Sequence, residues 1–376
     1  MPDFLTAVER HRLVDEWANG VELSGYPSVE GLIERGRRVP AIRTAVVCGA
    51  KTLTYGELFE RMGRGVAAER CDRSLDGAVR LLADIERAAE TTAPLLLSAP
   101  TGPHSPCSRH AIGLHSDALA AAVDDRRGVA ADCRAEHVDR AMGSTDVRLL
   151  ATEWACADTA VELLAAVADG ATLVVATEAQ RQRPAALAEL IANRAATHVV
   201  ADADTLARLA DIAVPALPSV RRWDVTGTHC PAILSELLRT IAPGSVAGFA
   251  YTAPQYAGVV ARGPLDGSDR VRPIPGARVL VLDEARQPVP AGGYGELFLG
   301  GAALVAEVGA MAADFVADPF APTGRLCRTG LVGRWTADGW LTFAPSAKGI
   351  AAVENTVAVT DASTDDDASS VAEIAA

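Results

Sequence analysis

Three sets of side chains in this sequence are of the types that do chemistry. His104, Cys107, His110 and His115 run as His-x2-Cys-x2-His-x4-His. Imidazole and thiolate suit zinc, but this spacing matches no standard tetrahedral pattern, so chance clustering is expected over a metal or redox site. Glu153, Asp158 and Glu162 place three carboxylates within ten residues. No fixed partner is visible for them, and they are expected on a solvated helix face. Cys156 and Cys230 have no histidine at a fixed offset, which argues against an activated nucleophile. The seven cysteines, at 48, 71, 107, 133, 156, 230 and 327, contain no Cys-x2-Cys pair. Reduced thiols acting as small apolar groups are expected, not a disulfide framework.

These residues sit in a globular composition. The 376 residues are 49% hydrophobic and 22% charged, enough for a sizeable core and two subdomains. A formal net charge of −13 gains nothing from phosphate neutralisation, so nucleic-acid binding is not expected. Met1 to Arg10 lacks the basic and apolar regions of a signal peptide, and no apolar run is long enough to span a bilayer. A cytoplasmic protein without membrane contact is the expectation. Aromatic content of 5% points to modest stability.

The elements that must position the chemistry follow from periodicity. Leu5 to Gly20 reads as one helix, with Thr6 as cap, Glu9 three residues on and Gly20 as stop. Tyr26 to Arg37 reads as a second helix. Arg43 to Cys48 and Lys51 to Leu53 read as a hairpin, followed by a helix from Tyr55 to Arg70. Residues 71–93 are polar and helix-permissive. Pro94 to Ser98 is a short strand, and a helix starts near Ser116. From Val147 to Tyr251 strands and helices alternate with short loops, the mark of a parallel, doubly wound sheet. From Val271 onward short strands divided by Gly and Pro suggest a smaller β-rich subdomain. Gly227, Gly295 and Gly300 are expected to serve turns with positive φ. The stretch after about Ala351, with Thr-Asp-Asp-Asp at 364–367, reads as a disordered acidic tail.

Several segments, in order, resemble adenylation domains of nonribosomal peptide synthetases, members of the adenylate-forming, AMP-binding enzymes. They are Thr44 to Leu58, with Leu53-Thr-Tyr-Gly-Glu-Leu58; Gly170-Ala-Thr-Leu-Val-Val175; Pro288 to Leu304; Phe315-Val-Ala-Asp-Pro-Phe320; and Arg328-Thr-Gly330 with Arg334-Trp335. The resemblance covers the chain up to about Phe343. It implies an α/β fold: the large N-terminal domain of adenylate-forming enzymes plus a small β-rich subdomain, with the C-terminal lid domain absent. The expected domains are a linker helix over 1–25, an adenylation-like core over 26–270 shortened between 70 and 94, a β-rich subdomain over 271–345 and the tail over 346–376.

The family chemistry joins ATP and an amino acid as an aminoacyl-adenylate and then transfers it to a carrier-protein thiol. The resemblance implies four requirements. The phosphate loop falls on Ser98 to Ser108, where Pro100, Pro103 and Pro106 offer no N–H and Thr101 and Gly102 are the best remnants. The Mg²⁺ segment falls on Tyr251-Thr-Ala-Pro-Gln255, where Tyr251 is kept and Gln255 replaces the carboxylate, a poorer ligand for a hard cation. The ribose carboxylate position holds Leu331. The clamp for the substrate amine falls on Ala157, with Asp158 adjacent, and His229 stands where a glutamate is usual. Arg334 completes the remnant nucleotide site. Lys348 sits in a poor context for the family's catalytic lysine, and no residue is assigned a catalytic role.

The expectation is a degenerate, non-catalytic adenylation-like domain acting as a scaffold or docking module, without a resident metal or cofactor. A carrier protein, a condensation domain or a small MbtH-like protein would be the partner. A residual ligase using ATP and Mg²⁺, and a decayed remnant with no selected role, are the alternatives.

Overall fold

The computed structural model of the protein describes residues 5–20, 25, 27–64, 73–91, 93–98, 111–136, 145–154, 157–253, 255–305 and 314–344. Strands β1 (Thr44–Cys48), β2 (Lys51–Thr54), β3 (Leu95–Ser98), β4 (Ala111–Leu114), β5 (Val147–Ala151), β6 (Thr172–Val175), β7 (His198–Asp202), β8 (Arg222–Gly227) and β9 (Val246–Thr252) come first in the chain. Then follow β10 (Val259–Pro264), β11 (Arg270–Pro273), β12 (Ala277–Leu282), β13 (Gly295–Gly301), β14 (Phe315–Ala317), β15 (Arg325–Trp335) and β16 (Leu341–Phe343). One continuous sheet runs in the order β12-β13-β15-β16-β11-β10-β9-β8-β7-β5-β6-β1-β2, with β14 beside β15 and a separate β3-β4 pair.

The run β1-β6-β5-β7-β8-β9 is parallel, and the strands beyond β9 are antiparallel. The helices are α1 (Ala7–His11), α2 (Val29–Arg37), α3 (Tyr55–Arg64), α4 (Leu75–Thr91), α5 (Ser116–Glu136), α6 (Ala157–Asp169), α7 (Glu178–Gln182), α8 (Pro184–Asn193), α9 (Ala203–Ala207) and α10 (Ile233–Ile241). From β5 the chain steps one way to β6 and then back across β5 to β7. Right-handed crossovers in opposite directions put their helices on opposite faces, so the sheet is doubly wound, with its switch point between β5 and β7. This is the expected fold class.

The kept sequence motif is structural. Thr54 and Glu57 form a reciprocal cap: the Thr54 N–H donates to Glu57 at 2.8 Å and the Glu57 N–H to Thr54 Oγ1 at 3.2 Å. Tyr55 is buried and its hydroxyl donates to the carbonyl of Ala171 at 2.8 Å, tying α3 to the turn between α6 and β6. A Cβ at Gly56 would lie 3.0 Å from Ala41 Cβ.

Several expectations change. The first helix holds its cap from Thr6 and Glu9, but it passes into a π-helical turn and stops at Glu16. Beyond it, Gly20 N–H donates to Ala277 and Val279 N–H to Ala18, so this segment adds to the edge of β12. The second helix starts at Val29, capped by Ser28. The stretch expected to be polar and helix-permissive does hold a helix, α4, but not a polar one: its Leu75, Val79, Leu82 and Ile85 are buried at helical spacing. Gly295 and Gly300 do not serve positive φ. A Cβ at Gly295 would lie 2.7 Å from the Leu282 carbonyl, and one at Gly300 2.9 Å from the Arg325 carbonyl, so close strand approach excludes a side chain. The tail lies outside the described residues.

Candidate functional site

In doubly wound sheets ligands bind outside the carboxyl ends of the strands at the switch point. Here those ends bring together Thr152, Glu153 and Trp154 after β5, Asp202 at the end of β7, Gly227 at the end of β8 and Tyr251 at the end of β9. Ala157 and Asp158 begin α6 beside them, and both are buried.

Asp158 corrects the solvated-face expectation. Its residue is 9% exposed, and its Oδ1 has no hydrogen-bond partner among the described residues. Burial pushes its carboxyl up to about 6; Arg126 and Arg262 oppose the shift and Glu162 adds to it. Glu162, one turn on, is also buried and forms ion pairs with Arg126 and Arg148. The helix face that sequence alone left solvated is covered by α5, which brings Arg126 in. Glu153 is half-buried on the crevice side. Asp202 is a group the sequence did not flag. Burial pushes it up to about 6, Arg181 opposes this, and Glu153 and Asp158 reinforce it.

Arg73 was also missed. Its guanidinium donates to the carbonyls of Ala176 at 3.0 Å and of Thr152, closing the carboxyl ends of β6 and β5. It stands 5.8 Å from the centroid of the Trp154 ring. Nothing in local sequence marks a loop arginine as a strand-end plug.

Tyr251 is fully buried, its ring centroid 4.6 Å from that of Phe343. Burial raises its hydroxyl, which lacks a partner among the described residues. Gln255 donates from Nε2 to the Arg328 carbonyl at 3.5 Å, and its Oε1 is buried without a partner among the described residues. Leu331 packs against the main core. An irregularity in β15 at Gly330, φ +71°, shifts its register against β13, and the Thr329 hydroxyl accepts from the Leu331 N–H at 3.0 Å.

Arg334 does not join this group. Its neighbour Trp335 is buried, so alternation puts Arg334 on the other face of β15, where it lies 4.9 Å from the Tyr294 ring centroid. His229 is exposed. Thr101, Gly102, His104, Cys107, His110, Cys156 and Lys348 lie outside the described residues. Cys230 is buried and its thiol is pushed up to about 12 by burial, an inert thiol. Among the described residues no group of three His, Cys, Asp or Glu is arranged to hold a metal ion, and no helix is long and apolar enough to cross a membrane.

This doubly wound sheet, continued by antiparallel strands, is the fold of the N-terminal part of adenylate-forming enzymes. Residues 122–307 match the family described as AMP-binding enzyme. Over this stretch the chain resembles an AMP-binding domain, and several of its relatives are nonribosomal peptide synthetases. Novobiocin biosynthesis protein H of Streptomyces niveus is 38% identical over 48% of this chain and 31% of its own length. The dimodular nonribosomal peptide synthase of Bacillus subtilis is 31% identical over 54% of this chain and 9% of its own length. The isonitrile lipopeptide synthase of Mycobacterium tuberculosis is 29% identical over 91% of this chain and 16% of its own length. The chain therefore spans under a third of the length of these relatives. Among solved structures, the nonribosomal peptide synthetase FmoA3 aligns with a TM-score of 0.73 at 18% identity, over 93% of this chain and 46% of its own. The N-terminal subdomain of Klebsiella oxytoca NpsA aligns with a TM-score of 0.64 at 16% identity, over 85% of this chain and 98% of its own.

Proposed function

We propose that this chain is an adenylation-like domain of a peptide synthetase that no longer activates an amino acid and serves as a scaffold or docking module. Leu331 is the observation that carries this reading. A leucine packed into the core cannot pair with ribose hydroxyls, and a buried site that leaves such hydroxyls unpaired discriminates against the ligand. Gln255 supports it, because a neutral amide already bonded to the Arg328 carbonyl is a weak partner for Mg²⁺. The described residues thus do not fit ATP with Mg²⁺, and no catalytic step is derived through them.

The docking role draws support from the segment Leu5 to Gly20. It binds the edge of β12 through backbone bonds and builds a second small core from Val14, Ala18, Leu280, Leu282, Phe298 and Leu326. A neighbouring condensation domain, a carrier protein or an MbtH-like protein, in the cytoplasm, is the proposed partner.

The test is calorimetry with ATP and Mg²⁺, followed by amino-acid-dependent pyrophosphate exchange. No heat at concentrations near 1 mM, about −4 kcal/mol, and no exchange are expected. Binding tighter than that, with exchange, would sink the non-catalytic reading. One observation favours a second reading, a residual ligase: Asp158 and Tyr251 keep polar groups at the crevice without partners among the described residues. Exchange appearing when a lysine-bearing C-terminal domain of an adenylate-forming enzyme is added in trans would support it.

A further inference from the structure

Strands β11, β16 and β15 are hydrogen-bonded side by side, with Arg270 opposite Thr342 and Thr342 opposite Arg334. Val271, Leu341 and Trp335 are buried, so the alternate residues Arg270, Thr342 and Arg334 form a row on the opposite face. Arg270 and Arg272 lie over the ring of Trp340, at 4.8 and 4.3 Å from its centroid. Tyr294 extends the row under Arg334.

Two carboxylates share this face. Asp266 pairs with Arg270 at 3.4 Å. Asp338 turns its carboxylate to Thr336 at 2.6 Å, while its carbonyl accepts from Arg272 at 3.0 Å. Neither Arg272 nor Arg334 has a carboxylate within ion-pair distance among the described residues. Arg270 Nε and Thr342 Oγ1 are buried and also lack partners among them. An excess of guanidinium charge on aromatic rings is thus collected on one face of a chain whose net charge is −13.

We propose that the occupant of this face is the chain's own acidic run, Asp361-Ala-Ser-Thr-Asp-Asp-Asp367. Residues 345–376 carry six carboxylates, at 354, 361, 365, 366, 367 and 373, against the single Lys348. The strand that bears Thr342 leads directly into this stretch. The connection from Ala344 to Asp361 spans up to about 55 Å when extended, and the row crosses three strands, about 10 Å. Single exposed ion pairs contribute little each. Tethering raises the local concentration of the run to the order of millimolar, so several weak pairs suffice. The docked run would screen the arginine–tryptophan face from other anionic partners.

The test uses the full chain labelled with 5-fluorotryptophan, the Trp340 resonance being identified with Trp340→Phe. At about 20 mM salt the Trp340 signal is expected to differ between the chain and the variant Asp365→Asn/Asp366→Asn/Asp367→Asn, with the other tryptophan signals unmoved. The difference should vanish near 0.5 M salt, where screening is short-ranged. It should not change with protein concentration. In a second measurement, Arg272→Lys is treated with carbodiimide, and an amide from position 272 to Asp365, Asp366 or Asp367 is expected. The same treatment of Arg239→Lys, on α10, should give none. A Trp340 signal identical in both chains, or equal cross-linking from position 239, would overturn the proposal. So would a shift that grows with concentration, which would identify a second copy as the occupant.

Discussion

On the amino-terminal side of the parallel strands, buried charges face one another. Arg126 joins Glu162 and Asp224, Arg148 joins Asp169 at 2.6 Å, Arg221 joins Asp146 at 3.0 Å, and Arg262 joins Asp125 at 2.9 Å. Burial works against the charge of Asp224, yet Arg222, Arg262 and Arg126 together hold it well below the usual carboxylate range. On the carboxyl-terminal side, Trp154 Nε1, Asp158 Oδ1, the Tyr251 hydroxyl and Gln255 Oε1 are buried without partners among the described residues. Asp158 has no cation at ion-pair distance among them. The same sheet thus pairs its buried charges at one end, where Arg148 Nε, Arg262 Nε and His198 Nε2 still lack a hydrogen-bond partner among the described residues, and leaves the Asp158 carboxyl without a cation among them at the other. Compensation serves the fold; uncompensated groups mark a place built to meet something else, or one whose complement has been lost.

The largest test of this contrast is Arg126→Ala. It would leave Glu162 and Asp224 buried beside an emptied site, and removing one partner of a buried pair costs about 3–5 kcal/mol. A denaturant midpoint unchanged within about 1 kcal/mol would show that the paired end is not compensated as described.

Asp158→Asn probes the other end and should act in the opposite direction. The folded-state carboxyl is raised from 3.8 to about 6, so the unfolded chain releases this proton first. Its contribution to stability is lost as pH rises between those two values, and above about 6 the charged group destabilises the fold. The amide avoids that cost. A gain on the order of 2–3 kcal/mol is expected at pH 7, with little gain near pH 4. Equal effects at both pH values would show that charge is not the cause.

How far each end was legible in the sequence follows from the same physics. Strand and helix order could be read because periodicity is local, and so could the first helix's cap from Thr6 and Glu9, because a capping box spans four residues; Leu53 to Leu58 was visible through the family resemblance, not its capping role. The retained Tyr251 and the neutral Leu331 and Gln255 were visible through the family resemblance. The pairing of Arg126 with Asp224 was not, because residues 98 apart meet only through the sheet order. Asp158 and Glu162 read as solvent-facing for the same reason: their cover, α5, lies on a separate stretch of the chain. Arg334 was placed in the nucleotide site by motif position, although strand alternation beside the buried Trp335 puts it on the other face.

Leu331→Asp asks whether the carboxyl end tolerates the charge it lacks. The leucine is only partly buried against the core, and losing its apolar contact costs about 0.8 kcal/mol per buried CH₂. A loss of about 1–2 kcal/mol is expected in a urea midpoint, smaller than that for Arg126→Ala. Calorimetry on this variant should still give no ATP heat, because Gln255 remains neutral. Strong ATP binding from this change alone would make Leu331 the sole defect of the site.

The smallest effect separates charge pairing from burial. Arg328 forks onto Glu296, with Nη2 at 2.7 Å and Nε at 3.1 Å from the two oxygens, a geometry as good as any in the amino-end network. Its side chain is 54% exposed. Water screens such a pair and both side chains lose rotamer freedom, so Arg328→Ala should cost far less than Arg126→Ala. That cost should shrink further as salt is raised from about 0.05 to 0.5 M, where the screening length falls to a few ångströms. The Arg126 effect should hold across the same range, since buried pairs are screened far less. If the two variants lost equal stability with equal salt dependence, burial would not distinguish the two kinds of pair. The contrast between the ends of the sheet would then reduce to a count of contacts.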